Sequence, residues 1–287
     1  MSGPRVASAG PLVMSTIRIA CLQLAPILGD VEGNRGRALD AIHRAAADGA
    51  GLIILPELAS SGYVFADADE ARACAEPAGG ATASAWAAAA AELGVVVVGG
   101  FCELDDDRPY NSAMLADPSG IRAVYRKLHL WDREKLIFEP GGAPPPLVDT
   151  VHGRIGLGIC YDLLFPEVTR RLALAGADVL VFPTNSPLLA PEPEAAPMEV
   201  AVALTTAYQN RVVVAVADRC GTERGVDWVG GSVIADPFGH SLAGPPDDRR
   251  VPSMLIADVD LAQARDKRWG DRNDLIGDRR ADIYGDL

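Results

Sequence analysis

Short runs of wholly apolar residues recur along this chain, and segments with helical periodicity separate them. The runs span residues 52–55, 95–98, 179–182 and 212–217. Runs of this length are typical of strands buried on both faces, as in a parallel sheet that is covered by helices. The repeated alternation of strand and helix therefore predicts an α/β fold.

Helices and hairpins are predicted from apolar spacing and from turn residues. Apolar residues at helical intervals predict helices over residues 34–47, 83–93 and 166–175. Turn residues that include Pro and Gly, at 117–120 and 236–239, predict two hairpins. The first spans residues 111–128, and the second includes the strand 232–235. The hairpins interrupt the crossover pattern.

Charge and composition limit the classes of partner. The formal net charge is −13 and the sequence pI is near 4.7, which argues against binding to nucleic acid or to anionic lipid. The sequence contains no apolar run of about 20 residues, the length of a membrane span. Five widely spaced cysteines form no zinc or disulfide pattern, and an odd number fits a reducing cytoplasm. We expect a cytoplasmic protein that binds a small molecule.

The chain is predicted to divide into three parts. Residues 1–14 are expected to form a flexible leader, and residues 15–260 a single domain, because no internal linker or short repeat is visible. Residues 261–287 are charged and lack apolar periodicity. This tail is expected to pack on the surface or at a subunit interface.

The segment 154–167 brings a cysteine to a sharp corner. Its apolar residues indicate a buried strand that ends at Cys160, and a helix can start at Pro166, where a missing N–H has no cost. This arrangement can present a nucleophile. A buried cysteine can equally be a small hydrophobic residue, so the corner alone does not decide.

Three acidic or basic residues follow predicted strands. Glu57 comes directly after the strand 52–55, Lys127 lies at the end of the first hairpin, and Glu134 follows shortly after it. Catalytic groups of α/β proteins commonly gather where strands end. Single charged residues are usually solvated, however, so each of these three residues can also be interpreted as an exposed surface charge.

Taken in order, these patterns resemble the nitrilase superfamily of carbon–nitrogen hydrolases, and in particular its amidase-like branch. The motifs occupy residues 55–57, 125–141, 158–167, 210–211 and 230–239, and the resemblance extends from about residue 17 to residue 260. It implies a four-layer α-β-β-α sandwich with two mixed sheets packed face to face.

The resemblance also implies a role for each catalytic residue. Cys160 is the nucleophile, Glu57 the general base and acid, and Glu134 a supporting carboxylate. Lys127 and the backbone N–H of Tyr161 stabilise the oxyanion. A carboxamide would then be hydrolysed through a thioester on Cys160, with no metal or organic cofactor.

Other interpretations use the same sequence. His129 is the nearest partner for a Cys-His pair, but a structural role for it is favoured, and Asp162 is expected to anchor the corner. A non-catalytic binding protein of this fold is disfavoured because the Glu, Lys and Cys are all present. Acyl transfer to an amine, nitrile hydrolysis and N-carbamoyl-amine hydrolysis remain open.

Substrate contacts are predicted at three positions. Leu164 stands where many family members that act on amides of small acids carry Arg, which disfavours recognition of a carboxylate there. Asn185 and Ser186 follow a strand and are expected to approach the pocket, ahead of a Pro-rich loop at 187–197. We expect an amide or nitrile of a small or medium, mostly neutral acid. The resemblance further implies a homodimer or a higher homo-oligomer.

Overall fold

The computed structural model describes residues 16–189 and 197–285. The predicted leader 1–14 and most of the Pro-rich loop lie outside them. The strands, in chain order, are β1 Thr16–Gln23, β2 Leu52–Ile54, β3 Val96–Asp105, β4 Arg108–Asp117, β5 Gly120–Arg126, β6 Leu147–Thr150, β7 Gly153–Leu157, β8 Val179–Thr184, β9 Val213–Asp218, β10 Thr222–Glu223, β11 Val226–Asp227, β12 Val233–Ala235, β13 Ser241–Ala243, β14 Ser253–Asp260, β15 Arg268–Trp269 and β16 Asn273–Asp274. The helices are α1 Val31–Ala47, α2 Ala68–Cys74, α3 Ala81–Leu93, α4 Pro166–Leu174, α5 Met198–Asn210, α6 Leu261–Arg265 and α7 Ala281–Tyr284, and two 3₁₀ turns span Asp132–Leu136 and Cys160–Leu164.

Two six-stranded sheets carry the fold. The first has the strand order β14-β1-β2-β3-β4-β5, and the second has the order β13-β12-β9-β8-β7-β6. Strands β1, β2 and β3 run parallel, as do β7, β8 and β9, while the outer strands pair antiparallel. Both sheets are therefore mixed, as the family resemblance implies.

The buried apolar residues form clusters that lie between the layers of sheets and helices. One buried cluster joins the two sheets and includes Ile54 and Val98 from the first and Leu157 and Val181 from the second. Helices α1 and α3 pack on the outer face of the first sheet, and α4 and α5 cover the second. The predicted four-layer α-β-β-α sandwich is confirmed.

Helix ends follow local signals. Helix α1 begins at Val31 because the side chain of Asp30 accepts the N–H of Gly33, which places the start three residues before the predicted one. Helix α3 ends at Gly94, whose φ of 70° is left-handed. Helix α4 begins with Pro166, as predicted.

The apolar pattern of the sequence predicts the strands of the first sheet only in part. Strands β3 and β4 form a longer hairpin than the apolar run 95–98 indicates, and the sequence pattern does not indicate β14 at all. In β14 only Ala257 and Val259 are buried, because an edge strand faces solvent over much of its length. Leu261 and Ala264 of α6 lie in the core between the sheets, just after the predicted boundary at residue 260. The three-part division of the chain stays a prediction.

Every helix in the part of the chain that the structure describes is too short or too polar to cross a bilayer.

The fold brings β3 against the segment that carries Glu57. A Cβ atom on Gly100 would lie 2.5 Å from Glu57 Cα and 2.6 Å from Leu58 N, which are backbone atoms that cannot rotate away. We expect Gly100→Ala to lower the free energy of unfolding by about 3 kcal/mol, measured by urea denaturation. A Cβ atom on exposed Gly36 in α1 would meet nothing within 4 Å, so Gly36→Ala should raise stability by about 0.5 to 1 kcal/mol. Equal stability of the two variants would contradict the close approach.

Candidate active site

A buried lysine lies between two buried carboxylates. Lys127 Nζ is 2.6 Å from Glu57 Oε1 and 2.8 Å from Glu134 Oε1. Glu57 follows β2, Lys127 follows β5, and Glu134 lies in the first 3₁₀ turn. The structure thus brings together three residues that the sequence analysis predicted to share a site, and the interpretation of them as solvated charges is wrong.

Two further side chains complete this cluster, and the sequence analysis did not identify either. Asn111 of β4 donates through Nδ2 to Glu57 Oε1 at 2.6 Å and to Glu134 Oε1 at 3.2 Å. The hydroxyl of Tyr63 donates to Glu134 Oε1 at 2.6 Å. Asn111 is a polar residue in a strand that continues, after Ser112, with the apolar residues 113–116, and this is a weak sequence signal. No sequence signal marks Tyr63.

Cys160 occupies a strained corner, as the sequence predicts. It begins the second 3₁₀ turn with a φ of 46°, in the left-handed region that residues other than glycine rarely adopt. Its Sγ lies 3.8 Å from the backbone oxygen of Asn185. A strained turn after a buried strand is a common way to expose a nucleophile.

Asp162 holds this corner through both of its carboxylate oxygens. Oδ2 accepts the N–H of Ile159 at 3.1 Å and the hydroxyl of Tyr125 at 2.9 Å. Oδ1 accepts the N–H of His129 and lies 2.7 Å from His129 Nδ1, and the imidazole stacks on Phe165. These contacts agree with the anchoring role expected of Asp162 and the structural role expected of His129.

Burial and neighbouring charges shift the pKa values of the cluster. Burial, reinforced by Glu134, raises the pKa of Glu57 to about 7 although Lys127 opposes the shift. Burial acts to lower the pKa of Lys127, but the two carboxylates outweigh it and raise that pKa well above its usual value. Burial and the charge of Glu57 raise the pKa of Cys160, so the thiol is protonated at neutral pH.

One carboxylate oxygen of Glu57 makes no hydrogen bond to the described residues. Glu57 Oε2 is buried and has no hydrogen-bond partner among residues 16–189 and 197–285, whereas Oε1 is shared by Lys127 and Asn111. A buried acceptor without a donor is costly unless function requires it. Oε2 can therefore take up a proton without breaking an existing contact.

A buried ion pair fixes the segment that carries Tyr63. Glu223 Oε1 accepts the N–H groups of Tyr63 and Val64 at 2.8 and 2.6 Å, and Glu223 Oε2 lies 3.0 Å from Arg219. The guanidinium of Arg219 lies over the ring of Trp228, and Trp228 in turn contacts Tyr63 edge to face. These contacts define the position from which Tyr63 reaches Glu134.

Cys160 lies at a cavity of about 160 Å³. The lining includes all the other predicted contact residues, Tyr161, Leu164, Asn185 and Ser186. A neighbouring cavity of about 170 Å³ contains Tyr63 and Glu134 and shares Trp131 and Pro187 with the first. The roles of Tyr161, Leu164, Asn185 and Ser186 stay predictions.

Among the residues that the structure describes, no cluster of three or more His, Cys, Asp or Glu side chains is suited to a metal ion.

Comparison with known proteins identifies relatives along most of the chain. A family model described as carbon-nitrogen hydrolase matches residues 18–268. The chain is 37% identical to a nitrilase from Pyrococcus abyssi, over 93% of this chain and 99% of the relative. It is 34% identical to an (R)-stereoselective amidase from a Pseudomonas species, over 94% of each chain.

A solved structure of an amidase from Nesterenkonia sp. AN1 has the same fold. It superposes with a TM-score of 0.77 at 27% identity and covers 96% of this chain and 98% of its own. That protein is an active-site variant in which the acetamide moiety of fluoroacetamide is covalently added at the active-site cysteine.

The hydrogen bond between Tyr63 and Glu134 should contribute to stability. Tyr63→Phe removes a donor from a buried carboxylate, and we expect the free energy of unfolding to fall by about 2 kcal/mol in urea denaturation. Tyr208→Phe is the matched control, because Tyr208 is exposed and its hydroxyl makes no hydrogen bond to another described residue. A Tyr63→Phe variant as stable as Tyr208→Phe would contradict the contact.

Proposed function

Because this chain belongs to the carbon–nitrogen hydrolase family, the nitrilase superfamily, we propose that it hydrolyses a small or medium carboxamide to a carboxylic acid and ammonia through a thioester on Cys160. Membership confirms the predicted resemblance and its amidase-like branch. The protein is an enzyme of a family whose named members include amidases and nitrilases. The substrate and the covalent intermediate are the proposal.

The observation that carries the proposal is the buried Glu57–Lys127–Glu134 cluster next to Cys160. The charges of Glu57, Lys127 and Glu134 all act on the pKa of the thiol, as expected for near neighbours. A protonated thiol needs a base in order to attack an amide. Glu57, with a pKa near 7 and an open oxygen, is matched to that task.

In the acylation step, Sγ attacks the amide carbonyl carbon while Glu57 takes the thiol proton. The negative charge that develops on the carbonyl oxygen is stabilised by Lys127 and by the N–H of Tyr161, and such stabilisation is typically worth about 3 to 4 kcal/mol. Glu57 then gives the proton to the amide nitrogen, the C–N bond breaks, and ammonia leaves. The acyl group remains on Cys160 as a thioester.

In the deacylation step, Glu57 takes a proton from water as its oxygen attacks the thioester carbon. The tetrahedral intermediate collapses, the C–S bond breaks, and Glu57 returns the proton to the sulfur. The carboxylic acid leaves and the resting thiol is restored. A single carboxylate serves both half-reactions.

Glu134 acts on Lys127 in this scheme. It shares the ammonium with Glu57 and is itself held by Tyr63, Asn111 and the N–H of Trp131. These donors hold Glu134 in place. Glu134 in turn raises the pKa of Lys127 and fixes the position of its ammonium. Glu134 is therefore the supporting carboxylate.

The cavity walls favour a neutral acyl group next to the carbonyl. Trp131, Leu163 and Leu164 line the cavity, and the side chain of Leu164 is half-exposed. Nitrile hydrolysis and N-carbamoyl-amine hydrolysis use the same catalytic residues and are the alternatives. Acyl transfer is distinguished by adding hydroxylamine, which would divert the product to a hydroxamate.

The proposal also includes the oligomeric state and the cellular location. We place the enzyme in the cytoplasm, where its five free cysteines remain reduced. The family resemblance supports a homodimer or a larger homo-oligomer.

The nucleophile is tested by Cys160→Ala. We expect ammonia release from butyramide to fall at least about 10³-fold, because no other group can form the acyl intermediate. Cys74→Ala removes a thiol outside the site and should retain activity. Ammonia release by Cys160→Ala at the wild-type rate would exclude the thioester route.

The base is tested by Glu57→Gln. This variant should lose butyramide hydrolysis, while fluoroacetamide should still alkylate Cys160, seen as one added acetamide group in the intact mass. The same probe leaves Cys160→Ala unmodified if the sulfur is the site. Wild-type hydrolysis rates in Glu57→Gln would remove Glu57 from the mechanism.

The pH profile follows from the raised pKa of Glu57. The base must be ionised, so kcat/KM should fall as the pH decreases through about 7. Glu134 contributes to raising this pKa, so Glu134→Gln should move the acid limb to lower pH even though its maximal rate is reduced. An acid limb at the same pH in both proteins would contradict the electrostatic coupling between the two carboxylates.

A further inference from the structure

The cavity at Cys160 contains one charged side chain among its described lining residues. The cavity lies between the second 3₁₀ turn, the end of β8 and the first turn of α5, and most of its walls are apolar. Glu199, the second residue of α5, is the exception. Neither Lys nor Arg is among the described residues that line this cavity.

Glu199 has no ion-pair partner among the residues that the structure describes. It is half-buried, and within the described ranges no side chain or backbone N–H lies within hydrogen-bond distance of its carboxylate. Glu199 lies in the first turn of α5, a helix of 13 residues. Glu199 is also close enough to buried Asp218 to assist burial in raising the pKa of Asp218.

Asp218 differs from Glu199 because backbone N–H groups donate to its carboxylate. Its carboxylate accepts the N–H groups of Ser186, Arg219 and Gly231 at 2.8 to 2.9 Å. Asp218 therefore serves to fix the backbone around Ser186. Glu199 has no comparable donors among the described residues, and its carboxylate is left to interact with what enters the cavity.

A second polar group in the cavity also lacks partners. Asn185 is 1% exposed, lines the cavity, and has neither Oδ1 nor Nδ2 paired with any described residue. Leaving a buried amide unpaired costs about 1 to 3 kcal/mol, so its retention in the wall points to a ligand group that satisfies it. Asn185 and Glu199 line the same cavity, so one ligand can contact both.

We infer that the preferred substrate is an amide whose acyl chain bears a protonated amino group, which pairs with the carboxylate of Glu199 while Asn185 bonds to polar atoms of the same chain. The inference rests on the proposed amide hydrolysis and adds the class of acyl group. The apolar walls accept the methylene chain, and the negative charge of Glu199 rejects a carboxylate.

The test compares substrates that differ by one charged group. ω-Amino amides with two to five methylene groups are each compared with the ω-methyl amide of the same length, for example 4-aminobutanamide with pentanamide. For the chain length that fits, wild-type kcat/KM should favour the ammonium by about tenfold, the value of a single partly desolvated ion pair. Glu199→Gln should abolish that preference by lowering kcat/KM for the ω-amino amide about tenfold.

The control and a binding measurement separate this inference from the proposed function. Glu92→Gln removes the same charge from the exposed surface of α3 and should leave the preference intact. Calorimetry of 4-aminobutanamide binding to Cys160→Ala, with and without Glu199→Gln, needs no turnover and should show about tenfold weaker binding without the carboxylate.

If amides are hydrolysed but Glu199→Gln alters neither the preference at any length nor the binding, the inference is wrong. If no amide is hydrolysed, the proposed function fails, and the binding measurement alone decides whether Glu199 holds the ammonium.

Discussion

The site depends on keeping Lys127 charged where water does not reach it. Burying an isolated ammonium costs several kcal/mol, and the cost is offset only by well-placed opposite charges and hydrogen bonds. Glu57 and Glu134 supply the charges, and Asn111 and Tyr63 donate hydrogen bonds to these carboxylates. Burial raises the pKa of Glu57 to about 7, and the charge of Glu134 adds to the shift although Lys127 opposes it, so Glu57 can exchange protons near neutral pH.

The sandwich sets the distances within that cluster. Glu57 follows β2, Asn111 lies in β4 and Lys127 follows β5, all in the first sheet. Cys160 follows β7 of the second sheet. The packing of the two sheets therefore determines how far the sulfur lies from its base. Gly100 shows how narrow the tolerance is, since its backbone approaches that of Glu57 too closely for any side chain. Interiors this dense transmit small displacements, so the stability of the core and the geometry of the site cannot be varied separately.

The carboxylates around Cys160 have different roles. Asp162 holds the corner, and Asp218 holds the backbone at Ser186, each through several donors. A carboxylate that is fully paired in this way is structural. Glu199 has no donor within the described residues, and on this difference we base its assignment to the substrate.

The sequence by itself determined the α/β alternation, the order of the Glu, Lys and Cys motifs and the corner at Cys160, because these are local patterns of apolar spacing, turn residues and short motifs. Only the tertiary structure decided that Asn111 and Tyr63 join the cluster, that β14 closes the first sheet and that Glu199 enters the cavity. Glu57 and Lys127 are 70 residues apart along the chain and 2.6 Å apart in space. Hydrogen bonds, burial and pKa shifts depend on such distances between remote segments, which folding sets and which no local pattern records.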